Sequence, residues 1–400
     1  MRLALEPEHH ALRAELADYF AQLVTPEVKA GLAAAASEFG AAELGEASVY
    51  KDVIRQVGRD GWLGIGWPEE YGGQARSMVE QLIFTDAAAV AGVPIPYLTL
   101  NTVGPTIMGY GTDEQKDFFL PRILAGDLHF SIGYSEPGSG TDLASLRTKA
   151  VREGDEWVVN GQKMWTSLIQ YADWIWLACR TDPDLPRHKG LSMIMVPADA
   201  PGVSYTPVHT VAGVGTSATY YEDVRVPVTN VVGEVNGGWS LMTNQLNAER
   251  VSLTSAAPTI HSLKLVREWA QQTKNPDGQR VIDTEWVQVA LGRAHARVEA
   301  LTLLNWKLAA DADAGVDLSP AEASAIKIYG SELNTEVYRT LQEIVGPMAM
   351  LTADSPGAVL AGRLERMFRS SLVMTFGGGT NEIQRDIIGY VGLGLPAAKR

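Results

Sequence analysis

Along the first 120 residues, apolar positions return every three or four places. Leu12, Leu16, Tyr19, Phe20 and Leu23 fall on one helical face. The Gly/Pro-rich stretch from Gly61 to Gly73 interrupts that pattern, and a second helical stretch spans Met78 to Ala91. Thr112-Asp113-Glu114-Gln115 carries the capping chemistry that opens another short helix. From about 127 to 230 the period changes. Trp174 to Ala178, Leu191 to Val196 and Ala218 to Tyr221 are short, aromatic or β-branched runs between turn residues, which predicts a small β domain. Glu153-Gly154-Asp155 and Asn160-Gly161 read as turns on either side of Trp157-Val158-Val159, so Ser131 to Ser167 reads as an antiparallel meander. After Gly237-Gly238 the helical period returns, with one long helix from Trp239 to about Thr273 and further helices over 286–312, 319–343 and 357–374. The pattern predicts a mainly α chain with a central β domain, divided as 1–122, 123–232 and 233–400.

Composition narrows the partners. A chain of 400 residues, 46% hydrophobic, can bury more than one core. It has 33 basic and 47 acidic residues, a net charge of −14, which argues against nucleic acid or an anionic membrane as partner. A lone Cys179 excludes an internal disulfide, fits a reducing cytoplasm and reads as a small buried hydrophobe. The N-terminus has no apolar core behind Arg2, and no run approaches the roughly 18 apolar residues of a membrane span, so no membrane insertion is expected. The seven histidines have no metal-ligand spacing, and no metal is expected.

Two places carry candidate chemistry. The loop Ser135-Glu136-Pro137-Gly138-Ser139-Gly140-Thr141-Asp142 can bring backbone N–H groups close to a polar ligand, although most such loops are only turns. Its spacing is neither a dinucleotide fingerprint nor a Walker loop. Met242, Leu246, Glu249 and Leu253 share one helical face. A carboxylate on an apolar stripe needs a task or a partner; a structural ion pair or an edge position reaching solvent explains Glu249 equally well on spacing alone. Trp165, taken alone, reads as an ordinary core aromatic.

The order of the motifs adds more. SEPGSGTDLASLRTKA followed by GDEWVVNGQKMWTS resembles the flavin-binding signature of the acyl-CoA dehydrogenases. Gly61-Trp62-Leu63-Gly64-Ile65-Gly66-Trp67-Pro68-Glu69-Glu70-Tyr71-Gly72-Gly73 upstream, and Glu222-Asp223-Val224-Arg225-Val226-Pro227 and Gly379-Thr380-Asn381-Glu382-Ile383-Gln384-Arg385 downstream, fall in the same family's order. The resemblance implies the acyl-CoA dehydrogenase fold: an N-terminal helical domain, a β-barrel-like middle domain and a C-terminal four-helix bundle. It implies FAD as cofactor and α,β-dehydrogenation of an acyl-CoA thioester to the trans-2-enoyl-CoA. Cofactor contacts carried over are Tyr134, Ser135, Gly140, Thr141, Trp165, Thr166, Ser167, Thr380 and Glu382, with Trp165 packing on the ring and Ser167 bonding its N5 region. Thr141, Asn247 and Arg250 match substrate-lining positions.

The chain departs from the commonest pattern at the base. Many members carry it directly before the Gly-Thr of the C-terminal loop, where this chain has Gly378. A subset places it in a Glu-Arg pair on the helix after the β domain, here Glu249-Arg250. The resemblance therefore implies Glu249 as the base, with the Gly378 N–H polarising the thioester carbonyl. Two neighbour-side motifs are degraded. The family's Arg-x-x-Phe-Gly segment is replaced by the run from Gln271 to Arg280, and its Gly-Gly-x-Gly loop by Ile344 to Ala349, with one glycine. The chain thus resembles the base-bearing chain of heteromeric sterol side-chain enzymes, implying a paralogous partner in a heterotetramer, with a homotetramer using Lys274 or Arg280 as the alternative. Electron-transfer flavoprotein is the implied acceptor. An oxidase or flavin monooxygenase on the same fold, and a non-catalytic subunit completing a partner's site, are the rival readings.

Overall fold

The computed structural model describes residues 5–37, 48–213, 215–250, 254–316 and 319–396, without the side chains of 33–37 and 246–250. The helices that open the chain are α1 (Pro7–Leu23), α2 (Pro26–Ser37), α3 (Val49–Arg59), α4 (Met78–Ala91), α5 (Gly104–Tyr110) and α6 (Asp113–Leu124). The expected cap of α6 is present: the Thr112 hydroxyl accepts the Gln115 amide at 3.3 Å, and the Gln115 side chain accepts the Thr112 amide at 3.1 Å. A single π-helical turn, Thr99–Val103, runs into α5.

Eight strands follow: β1 (Phe130–Gly133), β2 (Lys149–Glu153), β3 (Glu156–Lys163), β4 (Trp174–Arg180), β5 (Leu191–Pro197), β6 (Val203–Val208), β7 (Thr216–Pro227) and β8 (Val231–Val232). They form one sheet in the order β6-β7-β3-β2-β4-β5-β8, with β1 parallel to β4. The unbroken apolar run of β4 has a physical reason: both its faces are buried. Trp176 and Ala178 join the core of the opening helices, while Ile175, Leu177 and Cys179 pack with Val159, Tyr221 and Val224 on the other face. Burial pushes the Cys179 thiol up to about 12, so it stays protonated and inert.

The last part comprises α7 (Gly238–Arg250), α8 (Ala257–Gln272), α9 (Glu285–Asp313), α10 (Pro320–Val345), α11 (Arg363–Ser371) and α12 (Asn381–Ile387). Leu263 of α8, Val298 of α9, Leu333 and Leu341 of α10 and Leu364 of α11 share one core, whereas Leu241 and Met242 of α7 join the core of the opening helices.

The stretch from Ser131 to Ser167 is not one antiparallel meander: β2 and β3 pair antiparallel, but β1 runs parallel to β4. Three further expectations need correction. Asn160-Gly161 is not a turn but the middle of β3, where the register against β7 slips. Instead of closing a hairpin, the Asn160 amide pairs with Asp223 across the sheet, at 2.9 and 3.0 Å. A Cβ at Gly161 would lie 2.7 Å from Thr148 Cα, so the close approach of β2's entry requires the glycine. The long helix from Trp239 to Thr273 is two, α7 and α8. Ser255 interrupts it by accepting the Ala257 amide at 3.1 Å and donating to Asp86 at 2.6 Å, and Pro258 sits in the first turn of α8. The helix expected over 357–374 starts only at Arg363, because Leu360 and Ala361 take φ of +52° and +51°.

Candidate active site

The loop after β1 is fastened from beneath. The Glu136 carboxylate accepts the amides of Arg147 and Thr148 at 2.7 and 2.8 Å. Lys163, fully buried on β3, donates to Glu136 at 2.9 Å and to the Tyr134 carbonyl at 3.0 Å. Burial opposes both charges; for Glu136, Lys163 and the two amides outweigh it and hold the carboxyl below its usual range. Glu136 and Ser139 bridge backbone to backbone, and the Ser139 hydroxyl donates to the Asp142 carbonyl at 2.8 Å. The loop's outer edge, Gly138, Gly140 and Thr141, is exposed. A Cβ at Gly138 or Gly140 would meet nothing within 4 Å. Neither glycine is demanded by packing inside the chain, and each leaves room for an external group to approach the backbone.

Across from this loop lies Trp165-Thr166-Ser167-Leu168. Trp165 and Leu168 take left-handed φ of +66° and +60°, a strain on the order of 1–3 kcal/mol each that persists only where surroundings enforce it. The enforcement comes from Thr166, whose N–H and C=O pair with Ser217 at 2.9 and 3.2 Å, and from Ser131, which donates to the Ser167 carbonyl at 2.8 Å. The result presents Trp165 with 53% of its surface exposed. That corrects its reading as a core aromatic. Ser167 remains at the rim, its hydroxyl 3.4 Å from Thr216.

The C-terminal loop is fastened in a related way. Buried Lys327 of α10 donates to the Gly379 carbonyl at 2.7 Å and to the Asn381 side chain at 2.8 Å. Thr380 caps α12 through the Ile383 amide, and Glu382 in its first turn is exposed. Gly378 has φ +69°, a conformation L side chains rarely adopt, so position 378 suits a glycine and not a carboxylate.

Asn247, Glu249 and Arg250 fall in the last turns of α7; their side chains lie outside the described residues. One turn earlier is Gln245, which the sequence reading missed. Its side chain accepts from the Tyr134 hydroxyl and from Trp176 Nε1, and donates to Thr106 at 2.7 Å. Its spacing of three from Met242 was the available signal, since both are buried. The pair Glu136–Lys163 was also missed; each residue looked like ordinary strand or loop polarity in the sequence.

The residues suit a flavin. An exposed indole plate, the hydroxyl of Ser167, and a loop with two sterically unneeded glycines supply the flat surface and polar rim that an isoalloxazine requires. On the neighbour side, Arg280 is held by Asp283 through two bonds of 2.7 and 2.8 Å. Lys274 and Arg280 close a short antiparallel bridge upon themselves. Among the described residues no group of three or more His, Cys, Asp or Glu is placed to hold a metal, and no helix is long and apolar enough to cross a membrane.

Comparison with known proteins agrees along the whole chain. Residues 6–127, 131–224 and 236–393 match the N-terminal, middle and C-terminal domains of acyl-CoA dehydrogenase. Acyl-CoA dehydrogenase FadE26 of Mycobacterium tuberculosis is 61% identical over 405 residues, and FadE29 of the same organism 45% over 401, both covering 100% of each chain. A chain of the ChsE4-ChsE5 complex from Mycobacterium tuberculosis superposes with TM-score 0.92 at 61% identity, covering 100% of both chains. A chain of the Tcur3481-Tcur3483 steroid ACAD superposes with TM-score 0.92 at 48% identity and the same coverage. The chain belongs to the acyl-CoA dehydrogenase family of flavoprotein oxidoreductases.

Proposed function

We propose that this acyl-CoA dehydrogenase uses Glu249 to remove the α-proton of a bound acyl-CoA, in lipid or sterol side-chain β-oxidation. The observation that carries the reading is the pairing of two positions. Gly378, where many members carry the base, has a φ of +69°, and Glu249 lies one turn beyond Gln245, which bonds Tyr134 at the head of the flavin-type loop.

Trp165 would pack on the ring of FAD, with Tyr134, Ser135, Gly140, Thr141, Thr166 and Ser167 along its edge and Thr380 and Glu382 further along. When bound, FAD supplies the acceptor for the hydrogen leaving the β-carbon. Everything else falls to the chain. The Gly378 N–H donates to the thioester carbonyl and stabilises the charge that develops there as the α-proton leaves. Thr141, Asn247 and Arg250 border the thioester end. The Glu249 carboxylate takes the proton, and a dry pocket would raise its pKa towards that of the bound thioester.

The neighbour-side contacts support a shared site. With Arg280 bonded to Asp283, a paralogous chain in a heterotetramer supplies what the pyrophosphate needs; the similar chain from Mycobacterium tuberculosis is part of the ChsE4-ChsE5 complex. A steroid-derived thioester is the proposed substrate class, by likeness to the Tcur3481-Tcur3483 steroid ACAD. Electron-transfer flavoprotein is the proposed acceptor, the cytoplasm the proposed location, and residues 122 and 232 the proposed domain limits. A panel of thioesters from butyryl to steroid side-chain esters tests substrate class, and turnover with a dye acceptor rather than oxygen consumption separates a dehydrogenase from an oxidase. Glu249→Gln tests the base: near-normal turnover in that variant removes the assignment.

A further inference from the structure

Gln245 is 96% removed from solvent, at 4% exposure, and three separate elements converge on its carboxamide. Trp176 Nε1, which can only donate, lies 3.3 Å from Gln245 Oε1 and 3.2 Å from the Tyr134 hydroxyl. The Tyr134 hydroxyl donates to the same Oε1. The Thr106 hydroxyl donates to the Thr102 carbonyl at 2.7 Å, leaving its lone pairs for Gln245 Nε2, also at 2.7 Å. The carboxamide is thus bonded at both ends, which ties the side chain to three separate parts of the fold.

Each anchor belongs to a different part of the site. Thr106 is on α5, Trp176 on β4, and Tyr134 heads the loop that faces the flavin. Tyr134 is thereby held at both ends: its carbonyl by Lys163 at 3.0 Å, its phenol by Gln245. The nearest charged groups bonded to this assembly are Lys163 and its partner Glu136 beneath the loop. Gln245 sits on α7, and residues four apart on a helix lie one above the other, about 6 Å along the axis. Glu249 is therefore the next residue on the same face.

We propose that Gln245 is a positioning residue of the dehydrogenation, locking the last turn of α7 to Tyr134, Trp176 and Thr106 and so fixing where Glu249 stands relative to the flavin-facing loop. The proposal rests on Glu249 being the base. A polar side chain that only satisfied the core would stabilise the fold without touching proton removal, whereas a positioning residue sets the rate of that step. A base displaced by about 1 Å loses roughly 100-fold.

The test uses the FAD-loaded enzyme, co-expressed with its partner chain where one is required, and 3-thia-acyl-CoA in deuterated water. This thioester cannot be dehydrogenated at its sulfur position, so exchange at its α-carbon reads proton removal alone. Gln245→Met keeps the volume and removes both polar ends. The expected result is unchanged flavin content, KM within about threefold, and kcat and α-exchange falling together by roughly 10- to 100-fold. Tyr134→Phe, which deletes one bond with almost no change in packing, is expected to give a smaller loss in the same two readouts. Gln245→Glu places a carboxylate one turn from Glu249, and its rising pH limb of kcat is expected to move up by about one unit. Native α-exchange in both Gln245→Met and Tyr134→Phe, with exchange lost in Glu249→Gln, overturns the positioning role and leaves the base in place. Exchange retained in Glu249→Gln overturns both.

Discussion

The loop headed by Tyr134 is fastened by a cation–carboxylate pair and the loop from Thr273 to Thr284 contains another, and the two pairs do opposite things. Glu136 and Lys163 are buried, and their bonds end on backbone: two amides and the Tyr134 carbonyl. Arg280 and Asp283 are half-exposed, and their bonds end on each other. The first pair shapes a surface for something outside the chain. The second turns two of its arginine's five N–H donors back on the chain. An exposed pair contributes little to stability, so the main effect of the second is to set a carboxylate's charge beside Arg280. The difference teaches that the same kind of ion pair shapes a loop when it is buried against backbone and does little to it when it is exposed.

Ordered by size, the consequences sharpen that contrast. Glu249→Gln, on the intact side, is expected to retain flavin and lose kcat on the order of 10³-fold, as a general base contributes; a steady-state assay with a dye acceptor measures it. Lys163→Met leaves Glu136 buried without its cation, which costs about 3–5 kcal/mol; chemical denaturation should record it, together with loss of flavin. The chain purified without a second chain is expected to hold substoichiometric FAD by absorbance, and full, tight occupancy with activity would end the proposal of a shared site. Acid should act through Glu136. Its folded carboxyl lies below the usual range, so its contribution is present above about pH 4.3 and fades as pH falls through the folded value. Lys163→Met should flatten that part of the stability–pH curve. Arg280→Ala is expected to change neither flavin content nor thermal midpoint; a fall in flavin content would return Arg280 to the cofactor.

The sequence made the architecture legible because its periods differ: 3.6 in the flanks, short β-branched runs in the middle. It failed where a side chain replaced a backbone signal. Asn160-Gly161 has the composition of a turn, but the Asn160 amide pairs with Asp223 and the glycine makes room for Thr148. The break between α7 and α8 was hidden because Ser255 and Pro258 interrupt a stripe whose period continues across them. The motif around Trp165 was legible, and that residue's exposure and strained φ support the proposed ring contact. Gln245, Glu136 and Lys163 were not, since their partners lie 111, 27 and 29 residues away and only the fold brings them together.

The cap of α6 has one further effect. Gln115 closes its helix with one end of its carboxamide and, with the other, donates to the carbonyls of Thr229 and Val231 at 2.7 and 2.9 Å, where the chain leaves the sheet. Trp176, Met193 and Met195 of that sheet belong to the core of the opening helices. The middle segment is therefore no detachable module: cut free, it would bare greasy side chains and two carbonyls that Gln115 now covers, and precipitation would be its natural fate.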